Sequence, residues 1–191
     1  MMKRVAHLFA MAAISIPAVS NAAENFPGAP VRIVVPYAAG GGGDIIARLL
    51  GARLSEKWSQ PVVADNRPGA GTVIGTDLVA KAAPTGHTLL VNTAAITINP
   101  GLLKKLPYDT LKDLVPVTQI ALLPNLLVVN PSLPVNSVPE LIELAKKSPL
   151  TYGSSGTGTG AHLAGELFRA SAGIQLTHVP YKSGSALKIG R

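Results

Sequence analysis

The 191-residue sequence contains no cysteine, which excludes disulfide bonds, thiolate metal sites and a cysteine nucleophile. Aromatic residues make up only 4% of the chain, and this scarcity argues against a protein that binds single-stranded nucleic acid by base stacking. Charged residues are also few, at 14%, whereas 47% of the residues are hydrophobic. Such an apolar composition excludes an intrinsically disordered chain and predicts a folded protein with a hydrophobic core.

The positive charges are scattered along the chain. Seventeen Lys and Arg residues against ten Asp and Glu residues give a formal net charge of +7. The densest basic spots are two pairs, Lys104-Lys105 and Lys146-Lys147. Isolated pairs are typical of solvated surface rather than of a track that follows a phosphate backbone. We therefore expect no nucleic-acid partner.

Residues 1–22 have the pattern of a secretory signal peptide. A basic start at Met1–Arg4 precedes the apolar run Val5–Val19, and the small residues Ser20-Asn21-Ala22 follow at the position of peptidase cleavage. The run of about 15 residues is shorter than the roughly 20 that span a bilayer, so a membrane anchor is the less favoured alternative. We expect cleavage near Ala22 and export to the periplasm as a soluble protein.

The first half of the chain alternates between strand and helix patterns. Strands are predicted at Pro30–Pro36, Pro61–Asp65 and Thr88–Asn92. Helices are predicted to follow the first two strands, with Asp44 as the N-cap of one and Thr72 at the start of the other. The first strand is apolar without alternation, which is typical of a strand buried in a parallel sheet. This order predicts an α/β fold with a doubly wound sheet.

After Thr93 the sequence becomes irregular and rich in Pro and Leu. Two further strands are predicted at Val115–Ile120 and Leu126–Asn130. A helix is predicted from an N-cap at Ser137 to Lys147, and Glu140 completes a capping box. It is followed by a predicted strand at Leu150–Gly153, a helix with Leu163, Leu167 and Phe168 on one face, and a strand at Gln175–Val179. We predict that the chain crosses between two lobes near Pro124, so that residues 23–124 form the first lobe and residues 125–191 part of the second.

Three glycine-containing loops each precede a predicted helix. They are the first glycine loop, Gly40–Asp44, the second, Gly69–Thr72, and the third, Ser154–Thr159. A helix N-terminus presents unpaired N–H groups and partial positive charge, and glycine lets a ligand approach the backbone closely. Such loops bind anions without a lysine or arginine. A tight turn with a good cap is the alternative for each loop alone, but three in one chain favour a binding role.

No phosphate-binding signature fits these loops. Gly40–Gly43 lacks the Gly-Lys-Ser/Thr ending of a P-loop, and Gly156–Ala161 misses the last glycine of GxGxxG by one position. A carboxylate suits backbone donors equally well, and a nucleotide stays the weaker alternative. The chain also has no HExxH or GxSxG motif, so we expect neither a catalytic residue nor a metal or cofactor.

Three polar residues near the loops have two interpretations each. Asp44 is interpreted as a helix cap rather than a general base. His162 has Glu166 four residues further along a predicted helix, and this spacing favours a surface pair over a ligand contact. Arg67 either clamps a carboxylate or braces its own turn, and the sequence leaves this choice open.

Six motifs follow one another in a fixed order along the chain. They are VRIVVPY at 31–37, NRPGAG at 66–71, PTGHTLL at 84–90, YGSSG at 152–156, HLAGE at 162–166 and VPYK at 179–182. In this order they resemble the Bug-type solute-binding proteins of the tripartite tricarboxylate transporters. The resemblance implies a two-lobed periplasmic binding protein of the type II class. It further implies a monomer that captures a small carboxylate or related solute between its lobes and delivers it to membrane permease subunits.

The same resemblance implies that the ligand contacts come from two of the glycine loops and one short segment. The implied residues are Tyr37, Ala38, Gly40, Gly41, Asp44, Thr93, Ala94, Ser154, Ser155, Gly156, Thr157 and Thr159. Ala38-Ala39 stands where the family usually has a proline, which predicts a more flexible loop.

The chain is also shorter than the family pattern. Family members run to roughly 300 residues or more, the size of two domains, so we expect the second lobe to be incomplete. Two alternatives to a working receptor remain. One is an exported α/β enzyme acting on a phosphorylated or nucleotide-like substrate, and the other is a truncated remnant without function.

Overall fold

Two parallel sheets organise the fold, which a computed structural model describes for residues 26–182. The first sheet contains β1 (Val31–Val35), β2 (Val62–Asn66) and β3 (Thr88–Leu90), in the order β2-β1-β3. The second pairs β4 (Leu150–Ser154) with β5 (Leu176–Pro180). The helices are α1 (Gly42–Trp58), α2 (Val73–Ala80), α3 (Ala95–Leu102), α4 (Val138–Lys147) and α5 (Gly160–Ala172). The predicted signal peptide and its cleavage site lie outside the described residues.

The core of the first sheet is centred on β1. This strand pairs in parallel with β2 on one side and β3 on the other, and Ile33, Val34 and Val35 have no exposed surface. Ile33 and Val35 pack with Ala47 of α1. A strand with neighbours on both sides needs apolar residues in succession rather than in alternation. The prediction of a buried parallel strand is therefore confirmed.

The region between the two sheets differs most from the prediction. The strands predicted at Val115–Ile120 and Leu126–Asn130 are absent from the described part of the chain, where both segments are irregular and exposed. An apolar run becomes a strand only when a neighbouring strand completes its hydrogen bonds. The described residues supply no such neighbour, so the prediction of these two strands is wrong. The division into lobes near residue 124 stays a prediction.

The helix α3 occupies a segment for which the sequence predicts irregular structure. Pro100 lies inside it, and a proline in a helical pattern normally ends or kinks the helix. The helix is held by tertiary contacts, because the buried Asn99 side chain donates a hydrogen bond to the carbonyl oxygen of Gly71, at 2.9 Å. Contacts of this kind override the local preference.

The predicted helix caps have two different outcomes. Ser137 does cap α4, where its hydroxyl accepts from the Glu140 N–H at 3.4 Å, and the Glu140 carboxylate accepts from the Asn136 N–H at 2.7 Å. The prediction that Asp44 caps α1 is wrong, because α1 begins two residues earlier and its N-cap is Gly41. None of the helices within residues 26–182 has the length and apolar character of a membrane-spanning segment.

Candidate functional site

A cleft of about 400 Å³ lies between the two sheets. It is formed where the chain leaves the carboxyl ends of β1, β2, β4 and β5. Its lining consists of Pro36, Tyr37, Gly69–Thr72, Leu103, Ser155–Thr157 and Pro180–Lys182. Ligands of parallel α/β folds bind at this end of the strands, so the cleft is the candidate functional site.

The first glycine loop is held from within by Asp44. The Asp44 carboxylate accepts hydrogen bonds from the Gly40 N–H at 2.9 Å, from the Arg48 guanidinium at 3.0 Å and from the Asn66 amide at 3.0 Å. The Asn66 amide also donates to the carbonyl oxygen of Tyr37. Asp44 is only 3% exposed and does not line the cleft. The carboxylate oxygens of Asp44 are thus occupied by hydrogen bonds that fix the conformation of the loop.

This network predicts a loss of stability in acid. The hydrogen bond from Arg48 is the main cause that lowers the pKa of Asp44 from 3.8 to about 2. A carboxylate with a depressed folded pKa stabilises the fold fully above its unfolded value, and the stabilisation is lost as pH falls toward the folded value. The contribution at pH 7 is about 2 kcal/mol, and roughly half of it is gone by pH 3.

We therefore expect Asp44→Asn to lower the free energy of unfolding much more at pH 7 than at pH 3. Urea denaturation of both proteins at the two pH values measures this difference. Glu56→Gln is the matched control, because Glu56 is an exposed carboxylate of the same helix. A difference between Asp44→Asn and the parent chain that does not change with pH would contradict the network.

Tyr37 connects the ends of β1 and β3. Its hydroxyl lies 3.1 Å from the amide oxygen of Asn92 and 2.6 Å from the hydroxyl of Thr93. Burial raises the pKa of Tyr37, so the phenol is neutral at physiological pH. Thr93 and its neighbour Ala94 are exposed and lie outside the cleft lining. Thr93 therefore contacts Tyr37, which lines the cleft, and does not line it itself.

The third glycine loop has an inner side and a side toward the cleft. On the inner side, the buried Ser154 hydroxyl accepts from the Gly156 N–H at 3.1 Å. The buried Thr159 hydroxyl donates to the Gly156 carbonyl oxygen at 2.7 Å, and Thr159 is the N-cap of α5. Ser155, Gly156 and Thr157 line the cleft. Within the described residues, the backbone N–H groups of Ser155 and Thr157 make no hydrogen bond.

The second and third glycine loops contact each other across the cleft. Gly71 has a left-handed backbone, with φ of 60°, and a Cβ atom at this position would overlap the carbonyl oxygen of Thr157. Gly158 lies beside the side chain of Asn99. Because Asn99 also donates to the Gly71 carbonyl oxygen, α3 joins the two loops.

The structure divides the predicted site residues into two groups. Tyr37, Ser155, Gly156 and Thr157 line the cleft. The others lie in or beside the loops without lining it: Ala38, Gly40, Gly41, Asp44, Thr93, Ala94, Ser154 and Thr159. Ser154, Asp44 and Thr159 in this second group have hydrogen bonds that fix the loop conformations.

Sequence reasoning left two stretches of the lining out of the predicted site. The second glycine loop was identified as an anion-binding loop but not included. The predicted site also lacks Pro180, Tyr181 and Lys182 of the VPYK motif, although they form the end of β5 and the two residues that follow it. Their position at the carboxyl end of a predicted strand was the sequence signal that could have identified them as site residues. Lys182 is the basic residue among those that line the cleft.

Geometry decides the open interpretation of Arg67 and overturns the favoured interpretation of His162. Arg67 donates to the carboxylate of Asp65 at 3.0 and 3.1 Å, so it braces its own turn. The predicted surface pair of His162 and Glu166 is wrong. The ring of His162 stacks on another histidine, and Glu166 accepts from the Tyr152 hydroxyl and pairs with Arg169.

No group of three or more His, Asp or Glu side chains within residues 26–182 is arranged to hold a metal ion. The cleft lining instead combines backbone, hydroxyl and ammonium donors. This donor set suits an anionic organic ligand.

The comparisons with known proteins agree on one family. Residues 46–189 match the family described as "Tripartite tricarboxylate transporter family receptor". Protein BugT of Bordetella pertussis is 40% identical over 170 residues, which are 86% of this chain and 52% of BugT. The chain spans about half the length of the curated relatives it matches.

Two solved structures share the fold. An R. palustris protein solved with adipate is 42% identical, with a TM-score of 0.81, over 84% of this chain and 55% of that protein. MatC from Rhodopseudomonas palustris, solved with bound malate, is 30% identical, with a TM-score of 0.73, over 85% of this chain and 57% of MatC. The predicted α/β fold of periplasmic binding proteins is thus confirmed, and the chain covers just over half of it.

Proposed function

The chain belongs to the tripartite tricarboxylate transporter receptor family, and we propose from this membership that it is a periplasmic solute-binding protein for a small dicarboxylate. In this proposal the ligand lies in the cleft between the two sheets and is delivered to membrane permease subunits. The protein acts as a monomeric receptor and catalyses no reaction. The proposal includes the division into two lobes near residue 124 and a signal peptide cleaved near Ala22.

The observation that carries the proposal is the meeting of two glycine loops from different sheets at one cleft. The second and third glycine loops both follow parallel strands, and both line the cleft. Unpaired N–H groups at such loops stabilise a carboxylate at close range. A ligand held by both loops bridges the two halves of the structure, as capture between lobes requires.

The chemistry of the lining supports a dicarboxylate. One carboxylate is proposed to accept from the N–H groups of Ser155 and Thr157, and Lys182 contributes the positive charge that an anionic ligand needs in a partly apolar cleft. The relatives solved with adipate and with malate each contain a ligand of this chemical class. The remaining predicted residues, from Tyr37 to Asp44, Thr93-Ala94, Ser154 and Thr159, are proposed to shape the site.

Calorimetric titration of the chain with adipate tests the proposal. We expect saturable binding of adipate or malate and no binding of 1,6-hexanediol, which matches adipate in carbon number but lacks both carboxylates. NMR spectra of the same samples are expected to show unchanged adipate, because a receptor performs no turnover. Binding of hexanediol as strongly as adipate, or no binding of either acid, would contradict the proposal.

Lys182→Met tests the contribution of the ammonium group. Methionine keeps much of the side chain's length and removes its charge, so we expect adipate affinity to fall at least tenfold, about 1.4 kcal/mol. Lys146→Met is the matched control, because Lys146 lies on α4 and not in the cleft lining. Equal affinities of the two variants would show that Lys182 does not contact the ligand.

A further inference from the structure

Two histidines form a stacked pair beside the third glycine loop. His162 lies in the first turn of α5, and His178 lies in β5. Their ring centroids are 4.1 Å apart, with 28° between the ring planes. Tyr152 of β4 also stacks on His178, at 4.9 Å. The pair therefore joins three elements that surround the loop.

Each histidine belongs to the hydrogen-bond network that fixes the backbone of the third glycine loop. Nδ1 of His162 accepts a hydrogen bond from the Gly158 N–H at 3.3 Å. Nε2 of His178 lies 2.7 Å from the Ser154 hydroxyl, and that hydroxyl accepts from the Gly156 N–H. Gly156 and Gly158 have φ values of 132° and 80°, which glycine adopts readily, so the hydrogen bonds around them select the conformation of the loop. The two histidines thus hold both ends of the short segment that contains Thr157.

We propose that His162 and His178 are positioning residues for ligand capture, whose neutral rings hold the third glycine loop against the cleft and whose protonation in acid releases it. This inference rests on the proposed function and assigns it a pH dependence. Neither histidine lines the cleft, so both act through the loop and not by contact with the ligand.

The chemistry of imidazole gives the direction of the effect. An N–H of the backbone can only donate, so Nδ1 of His162 must be unprotonated to accept it. Two imidazolium rings at 4.1 Å would also repel each other. Burial lowers the pKa of His178, and the neighbouring His162 lowers it further, whereas Glu166 raises it. His178 therefore favours the neutral ring, and its stabilising contribution is present above about pH 6.5 and lost as pH falls below that value.

The other titratable groups of the cluster are fixed by one another. Glu166 accepts from the Tyr152 hydroxyl at 2.7 Å and pairs with Arg169 at 2.8 Å. The hydrogen bond from Tyr152 and the pairing with Arg169 lower the pKa of Glu166, and burial is the main cause that raises the pKa of Tyr152. Glu166 and Tyr152 thus keep their charge states between pH 5.5 and 7.5, so neither changes the charge of the cluster in that range.

Two substitutions of His162 separate positioning from mere packing. His162→Asn keeps a short acceptor in place of Nδ1 but cannot be protonated, whereas His162→Phe keeps a ring and removes the acceptor. Hydrogen exchange at the Gly158 amide, corrected for intrinsic rates, is measured for each protein at pH 7.5 and pH 5.5. We expect protection in the parent chain to fall more than tenfold in acid. It should be lost at both pH values in His162→Phe and stay within threefold in His162→Asn.

Adipate titration at the same two pH values tests the consequence for binding. Adipate itself titrates near the lower pH, but this effect is common to all three proteins, so the ratio of affinities isolates the histidine. We expect the parent chain to lose at least threefold more affinity in acid than His162→Asn. Identical pH profiles in the two proteins, or full Gly158 protection in His162→Phe, would overturn the proposal. If no protein binds adipate or malate at either pH, the proposed function fails, while the Gly158 protection still decides the positioning role.

Discussion

Gly71→Ala is expected to weaken adipate binding at least tenfold. Gly71 has a φ of 60°, and its added Cβ would overlap the carbonyl oxygen of Thr157 on the facing loop. Because the obstacle is backbone, no side-chain rotation relieves it. The second and third glycine loops must then separate, and the cleft widens at the place where both loops are proposed to hold the ligand.

Gly40→Ala is the matched control for backbone strain. Gly40 also has a positive φ, of 80°, but no atom lies within 4 Å of its added Cβ. Both variants carry the strain of a left-handed alanine, about 1 to 2 kcal/mol. Only Gly71→Ala adds the steric overlap, which costs about 1 to 3 kcal/mol more if the loops stay together. Calorimetry and urea denaturation of the two variants measure both effects, and equal adipate affinities would show that the contact between the loops does not shape the site.

The contrast between these glycines also shows what the sequence could predict. The order of strands and helices around Val31–Val35 follows from local patterns, because hydrophobic spacing and glycine or proline positions act within a few residues. The three glycine loops were predicted for the same reason. The contact between the second and third loops was not predicted, because Gly71 and Thr157 are far apart in sequence and only the folded chain brings them together.

The candidate site was predicted in outline, but the direction of its side chains was not. Asp44, Ser154 and Thr159 belong to the predicted loops, yet their side chains form hydrogen bonds within those loops. A short polar side chain in a glycine loop can bind either a ligand or its own backbone, and the residue type does not distinguish the two. The tertiary environment determines which of the two it binds. For Asp44, the Asn66 amide at the end of β2 donates a hydrogen bond to the carboxylate and thereby directs it away from a ligand.

Two helical glycines that face the first sheet are expected to respond to alanine with opposite signs. Gly51 of α1 and Gly75 of α2 are both buried. An added Cβ at Gly51 meets its nearest atoms, in Val62 and Ile33, at 3.4 to 3.7 Å, which is ordinary contact. An added Cβ at Gly75 meets the Cβ of Pro36 at 2.8 Å and the carbonyl oxygen of Arg67 at 2.9 Å.

The atoms that an added Cβ at Gly75 would meet cannot move away easily. Pro36 directly follows the central strand, and the Arg67 N–H donates to the Val35 carbonyl oxygen, so both obstacles are anchored to the end of the sheet. Gly75→Ala must therefore displace α2, at a cost of about 2 to 3 kcal/mol in the free energy of unfolding. Gly51→Ala should instead be neutral or stabilise the chain by up to about 1 kcal/mol, because alanine favours a helix over glycine. Urea denaturation of both variants tests this pair, and destabilisation of similar size in both would show that α1 packs on the sheet as tightly as α2.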